Sequence, residues 1–153
     1  MFAYAHKYNR LGNGNQYVGM NLVNNFCNSN GFYNTKMNRL MLDFNGLENY
    51  TTTYDCCKIL RDLYKNKLSG SERIISYMKL QSTRTKIPAG IKDGTLVANK
   101  TGELTTVEND AAIIYLNNTP YVMCVMTNNV FDNERVKEMI SQSSELVHSY
   151  MKS

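Results

Sequence analysis

Apolar positions recur at helical spacing in four stretches of the chain and run on in short β-prone segments in three others. Val18, Leu22, Val23 and Phe26 share one helical face, and Asn28-Ser29-Asn30-Gly31 closes the run, which predicts a helix over Val18–Cys27. Before it, Met1 to Arg10 shows no period and Leu11-Gly12-Asn13-Gly14-Asn15 is a turn signal. Phe32 to Tyr50 is irregular. Thr52-Thr53-Tyr54-Asp55 has the spacing of a capping box in its Asp variant and opens a second helix whose apolar face is Cys56, Ile59, Leu60 and Leu63. Ser69-Gly70-Ser71-Glu72 reads as another capping box, opening a helix with Ile74, Ile75 and Met78 inward. Pro88 closes this helical half.

The remainder reads mostly as strand. Thr95 to Lys100 is the first, Ala111 to Leu116 the second after a loop containing Asn109-Asp110, and Tyr121 to Met126 the third after the hairpin turn Asn117-Asn118-Thr119-Pro120. A final helix starts near Asp132 and carries Val136, Ile140, Ser143, Val147 and Tyr150 on one face, to be laid on the sheet. The predicted class is α+β: helices, then a three-stranded antiparallel sheet, then a C-terminal helix. The 153 residues read as a single domain, with residues 1–90 mainly helical and 91–153 the sheet and last helix.

Composition changes this picture little. An apolar fraction of 42% with 20% charged residues is that of a globular chain, and the net charge of +4 is spread too thinly for a nucleic-acid groove. No run is long enough to span a membrane, and Met1 to Arg10 lacks the apolar core of a signal peptide. Cys27, Cys56, Cys57 and Cys124 read as small apolar filler, and neither His6 nor His148 has a partner at metal-ligand spacing. No cofactor and no metal are expected.

The chemistry gathers at Lys100-Thr101-Gly102, delivered at the end of the first strand. A lysine and a hydroxyl there face a bound anion, and a glycine lets a ligand approach the backbone. Any tripeptide is common, so an ordinary turn is the plain alternative. The surroundings narrow it. Lys86-Ile87-Pro88-Ala89-Gly90 precedes the tripeptide and Glu108-Asn109-Asp110 follows it. Upstream, in order, stand Gly19-Met20-Asn21 through Phe26, Gly31-Phe32, Thr35, Asn38-Arg39, Asn49-Tyr50-Thr51-Thr52 and Asp55. In order and spacing these resemble the second half of the class A β-lactamase-like serine hydrolases, the penicillin-recognising superfamily with its Ser-x-x-Lys, Ser-x-Asn and Lys-Thr/Ser-Gly motifs.

The resemblance implies a β-lactamase-like α/β sandwich, here its C-terminal part, and acyl transfer on β-lactam or peptidoglycan-type amides. It gives Lys100 and Thr101 the catalytic positions of an incomplete site. Thr101, Gly102 and the backbone N–H of Glu103 become the substrate-binding groups, the last as one of two oxyanion donors. Proteins of this family are usually secreted or bound to the cell envelope.

The chain departs from the family where the nucleophile should be. Ser76-Tyr77-Met78-Lys79 and Ser149-Tyr150-Met151-Lys152 fit Ser-x-x-Lys, but each falls late in a predicted helix, and neither is followed by Ser-x-Asn and then Lys-Thr-Gly. If Asn9 matches the asparagine beyond the second motif, Ala3 and Ala5 hold its Ser and Asn positions. Neither Asp43 nor Glu48 has the asparagine four residues on that positions a deacylating water. The expectation is a hydrolase part without turnover of its own. The alternatives are a non-catalytic binder of peptide carboxylates and a structural interaction module. As partners, the sequence suggests an N-terminal fragment in trans, or self-association through Tyr121–Met126. A lysine at Val122 or Cys124, whichever faces away from the core, should weaken the latter.

Overall fold

A computed structural model of the chain describes residues 16–41, 43 and 45–153. The expectations for Met1 to Arg10, including Ala3 and Ala5, and for the turn at Leu11–Asn15 lie outside the described residues. The chain forms two compact units, Met1–Asp55 and Cys56–Ser153.

In the first unit, α1 spans Gln16–Ser29, longer at both ends than the apolar run suggested. Its buried residues are Met20 and Cys27, whereas Val18 and Phe26, expected inward, are about half exposed. Asn24 explains the rotation of the face. It lies between Met20 and Cys27 and clamps the backbone of Met37, accepting from Met37 N–H at 2.7 Å and donating to Met37 O at 2.9 Å. An apolar count misses a stripe whose middle member is an amide. The irregular stretch after α1 is held by side chains: Asn49 Oδ1 accepts from the N–H groups of Asn38 and Arg39 at 2.8 and 2.9 Å, and Arg39 reaches Glu48 and the Asp43 carbonyl.

α2 spans Thr53–Tyr64. Thr52 Oγ1 accepts from Asp55 N–H at 3.2 Å, so the expected cap is formed on its threonine side. The Asp55 carboxylate turns instead to Asn34 N–H and Thr35 Oγ1, at 2.9 and 2.8 Å.

In the second unit, α3 spans Ser71–Lys79. The capping box expected from Ser69 does not form. Gly70 is the N-cap, in the left-handed conformation at φ 82° that glycine tolerates, and no side chain caps the helix. That start places Ile74 outward at 43% exposure, against expectation, while Met78 is buried and Ile75 half-buried. Pro88 lies in a 3₁₀ turn over Ile87–Gly90. There Gly90 is required by packing, because a Cβ would stand 2.2 Å from the Ser141 carbonyl of the last helix.

The sheet is antiparallel in the order β1-β2-β3, with β1 Val97–Leu104, β2 Val107–Ile114 and β3 Tyr121–Val125. Two expectations are corrected here. The first strand runs on through Lys100-Thr101-Gly102 to Leu104, so the tripeptide is inside the strand rather than at its end. Asn109 and Asp110 are not loop residues, because β2 begins at Val107 and pairs Thr101 with Asp110 and Gly102 with Asn109. The segment is polar because its acids are paired beneath the sheet, not because it is loop. The turn into β3 falls where expected, with Asn118 at φ 64°.

Strand alternation gives the sheet two faces. Val97, Ala112 and Ile114 pack with Ile87, Ile91 and Ile140. Ala98 and Ile113 pack with Leu60, Leu63 and Met78 of α2 and α3. α4, Asn133–Lys152, starts where expected, with Asp132 Oδ1 accepting from Arg135 N–H at 3.0 Å. Its buried stripe is Ile140, Ser144 and His148, not the line through Ser143, Val147 and Tyr150, which are exposed. Polar members again displaced the reading. Ser144 Oγ donates to Ile87 O at 2.8 Å, and His148 bridges Tyr121 Oη and Asp93 Oδ2, each at 3.0 Å.

Candidate functional site

β1 has β2 on one side and no described strand on the other. Successive residues of an antiparallel strand turn their N–H and C=O alternately to one side and the other. Leu96 O accepts from Tyr115 N–H on the β2 side at 2.9 Å, whereas Val97 O accepts from Arg84 at 2.9 Å and Thr101 O from Lys100 Nζ at 2.5 Å. By that parity Val97, Asn99, Thr101 and Glu103 present their backbone groups to the open edge. The Glu103 N–H, expected as an oxyanion donor, is therefore on the free side of the strand. The side chains of Lys100 and Thr101 leave on opposite faces, and the exposed Lys100 ammonium wraps back to the edge at Thr101 O. Gly102 has neither a left-handed φ nor a tight neighbour: a Cβ would meet only Asn109, at 3.6 Å. The strand itself does not require glycine there.

Beneath this edge lies a buried polar network that the sequence reading missed. Lys86 is fully buried, and its ammonium sits 2.7 Å from Glu108 Oε2 and 2.9 Å from Glu103 Oε1. Glu103 and Glu108 face each other across the hairpin, a like-charge pair that would repel without a cation between them. Lys137 of α4 adds a second cation, 3.8 Å from Glu108 Oε1. The Lys86 hydrogen bond is the main reason the Glu103 carboxyl is held below its usual range. One step along the strand, Asp110 accepts from Asn99 Nδ2 and from Ile87 N–H, both at 3.1 Å, and Arg84 donates to Asn99 Oδ1 at the same distance. Burial pushes the Asp110 carboxyl up, partly offset by these hydrogen bonds. The signal was present in Glu108 and Asp110, which alternate in register with the apolar Ala112 and Ile114 and so had to point into the core.

The two Ser-x-x-Lys strings are exposed helix surface. Ser76 Oγ donates to Arg73 O and Ser149 Oγ to Glu145 O, each at 2.8 Å within its own helix. A cavity of about 270 Å³ lies at the β2–β3 end of the sheet, lined by Arg61, Tyr64, Lys65, Ile113, Pro120, Tyr121 and Val122, and none of the expected site residues lines it. Among the described residues no three His, Cys, Asp or Glu side chains are placed to hold a metal ion, and no helix is long and apolar enough to cross a membrane.

None of the curated proteins matches the chain in sequence. Among solved structures it resembles PBP-A, at 26% identity and a TM-score of 0.76 over 84% of this chain and 50% of that one. It also resembles the β-lactamase from Sphaerobacter thermophilus, at 22% identity and a TM-score of 0.80 over 90% and 55% of the two chains. The class A β-lactamase from Mycobacterium abscessus is similar at 24% identity and a TM-score of 0.73, over 85% and 54%. The chain thus spans about half the length of these structures. In sequence, the profile described as the β-lactamase enzyme family matches residues 15–151. With that match over nearly its whole length, the chain belongs to the β-lactamase enzyme family.

Proposed function

We propose that the chain supplies the substrate-carboxylate and oxyanion-edge part of a penicillin-recognising serine hydrolase site, and that the 153 residues alone do not turn substrate over. Both units, in this reading, belong to one β-lactamase-like domain. The observation that carries it is the open edge of β1. Lys100 provides positive potential, the Thr101 hydroxyl a donor to a carboxylate, and Glu103 N–H one oxyanion donor. Gly102 leaves the strand free for close approach, which is a use for a glycine that neither φ nor packing demands. A variant of PBP-A is known as an acyl-enzyme complex with penicillin G, which places a β-lactam carbonyl among the substrates of a relative.

Acylation needs a serine beside a base. Ser76 and Ser149 are spent on helix carbonyls, so the nucleophile is assigned to residues other than these two strings. Loss of one oxyanion donor alone typically costs on the order of a hundredfold in rate. The test is labelling with a fluorescent penicillin, read by intact mass. The expected result is an unmodified chain, and a stoichiometric acyl adduct on Ser76 overturns the reading.

The second reading, association through β3, also has a specific observation behind it. Glu108 exchanges both of its backbone bonds with Thr127 Oγ1 on the β3 side, so parity points Tyr121, Met123 and Val125 toward β2. Val122 and Cys124 then turn their N–H and C=O outward, where no described strand pairs with them. An apolar, uncharged edge of this kind is a template for a further strand, from an N-terminal fragment in trans or a second copy. The lysine test is corrected by the packing: Val122 lies against the α2–α3 cluster and Cys124 is half-buried on that same face. Neither faces away from the core, and a lysine at either would bury its charge.

A further inference from the structure

The cavity at the β2–β3 end of the sheet lies within the second unit and has no part in the β1 edge. Ile113 and Val122 of the sheet, with Pro120 just before β3, give it an apolar lining. Tyr64 lines it as well, and its ring is backed by Tyr115, with centroids 5.8 Å apart. Lys79 Nζ lies 4.8 Å from the centre of the Tyr115 ring, which helps to fix the pair. The rest of the lining is cationic. Arg61 and Lys65, four residues apart at the end of α2, both border the cavity, and no acidic residue does. Their own helix does not account for them. The last carbonyls of α2 are closed by backbone: Lys65 N–H donates to Arg61 O at 3.0 Å, Asn66 N–H to Leu63 O at 3.0 Å and Lys67 N–H to Asp62 O at 2.9 Å, with Asn66 left-handed at φ 52°. Arg61 keeps only a loose contact, 3.9 Å from Asp62 Oδ1, and Asp62 is already taken by Lys58 at 2.9 Å. Lys65 has no acidic partner among the described residues.

We propose that this cavity binds a small aromatic carboxylate of the phenylalkanoate type, its ring against Ile113, Pro120, Val122 and Tyr64 and its carboxylate at Arg61 and Lys65. Size and charge decide the class. A volume of about 270 Å³ is just below the roughly 300–1,000 Å³ of pockets for drug-sized ligands, so it admits one ring and a short chain but not a nucleotide or a long-chain lipid. Two cations with no acid beside them disfavour an amine. The apolar lining disfavours a bare inorganic anion, which would leave that surface wet. The β3 strand of a second copy is a poor occupant, because Asn117 to Phe131 holds no acidic residue to meet the two cations. The site lies on other strands than Lys100-Thr101-Gly102 and stands or falls independently of the reading of that edge.

The test is to titrate the chain with 3-phenylpropionate and, as the neutral comparison, with 3-phenylpropan-1-ol, following the methyl resonances of Ile113 and Val122. The acid should move both saturably in the millimolar range. Binding should weaken roughly five- to tenfold for the alcohol, and by a similar factor for the acid in the double variant Arg61→Gln with Lys65→Gln. Both residues are exposed, and if the double variant fails to fold, the acid–alcohol comparison on wild type decides alone. An alcohol that binds as tightly as the acid overturns the proposal, since the cations then play no part. So does a double variant that binds the acid unchanged. Movement of the Thr101 and Glu103 amides without Ile113 puts the carboxylate at β1 and overturns it too. No saturable movement at tens of millimolar acid does the same. Acid binding that fades as protein concentration rises means that a second copy fills the cavity, which also contradicts the proposal.

Discussion

The two edges of the sheet are built from opposite materials. The β1 edge is polar and already occupied by side chains: Arg84 sits on Val97 O and Lys100 on Thr101 O, with a buried cation and two glutamates beneath. The β3 edge is Tyr-Val-Met-Cys-Val, half-buried at every residue, with apolar clusters on both faces. Open edges are hazardous in proportion to how flat and apolar they are, and charge is the usual defence. β1 has that defence and β3 does not. Under the proposed function, this difference separates an edge that would take a small ligand from an edge that suits another strand.

The largest effect should come from removing the cation under β1. Lys86→Met leaves Glu108 buried, with Lys137 as its one remaining cation among the described residues, and breaking such a pair costs on the order of 3–5 kcal/mol. Urea unfolding should show that loss, and Lys86→Met with Glu108→Leu should recover much of it. If the single variant costs under about 1 kcal/mol, within the range of surface ion pairs, the network does not hold the edge.

At β3 the contrast can be read amide by amide. In the described sheet, Tyr121, Met123 and Val125 should be protected from hydrogen exchange, and Val122 and Cys124 should exchange faster. Val122→Pro removes an outward N–H without breaking the ladder to β2. It should lower any self-association seen by sedimentation at high concentration. Equal protection on both sides of the strand means that the edge is covered, and β3 is then no longer the open counterpart of β1.

A smaller effect concerns the end of the sheet that α4 holds. Asp93 Oδ2 takes Lys152 at 2.7 Å and His148 at 3.0 Å, and Asp93 Oδ1 takes Thr95 N–H at 3.1 Å. These bonds, the one from Lys152 first, hold its carboxyl well below the usual range. A depressed carboxyl contributes stability above its unfolded value that is lost as pH falls through its folded one. Asp93→Asn should therefore weaken the protein modestly at neutral pH and flatten the acid limb of its stability curve. Asp110 has the opposite sign. Its raised carboxyl favours the fold at low pH, with the benefit lost as pH rises through the folded value, so Asp110→Asn should remove a loss on the alkaline side of that range.

The order of elements and the turn before β3 were legible because apolar runs and turn residues mark them directly. Helix faces were legible only where their members were apolar. Leu60 and Leu63 were read correctly, whereas Asn24, Ser144 and His148 occupy buried stripes as polar residues with specific partners, and the inferred faces of α1 and α4 rotated away from them. The same blindness hid the network around Lys86. A lysine before Ile-Pro and two acids in a polar strand look like solvated surface until the register shows them converging. The tripeptide itself was found, but its place inside β1 was not, because Glu103, Thr105 and Thr106 resemble loop more than strand and turn.

The claim that β1 is the ligand-binding edge is tested most directly by titrating the chain with an N-acyl-D-alanyl-D-alanine peptide and following backbone amide resonances. One exposed lysine and one hydroxyl support only weak binding, on the order of millimolar, or about 4 kcal/mol. The expected result is saturable movement of the Thr101 and Glu103 amides that is lost in Lys100→Ala and indifferent to Val122→Pro. Saturable movement at Val122 and Cys124 instead, or no movement along β1 at several millimolar peptide, contradicts it.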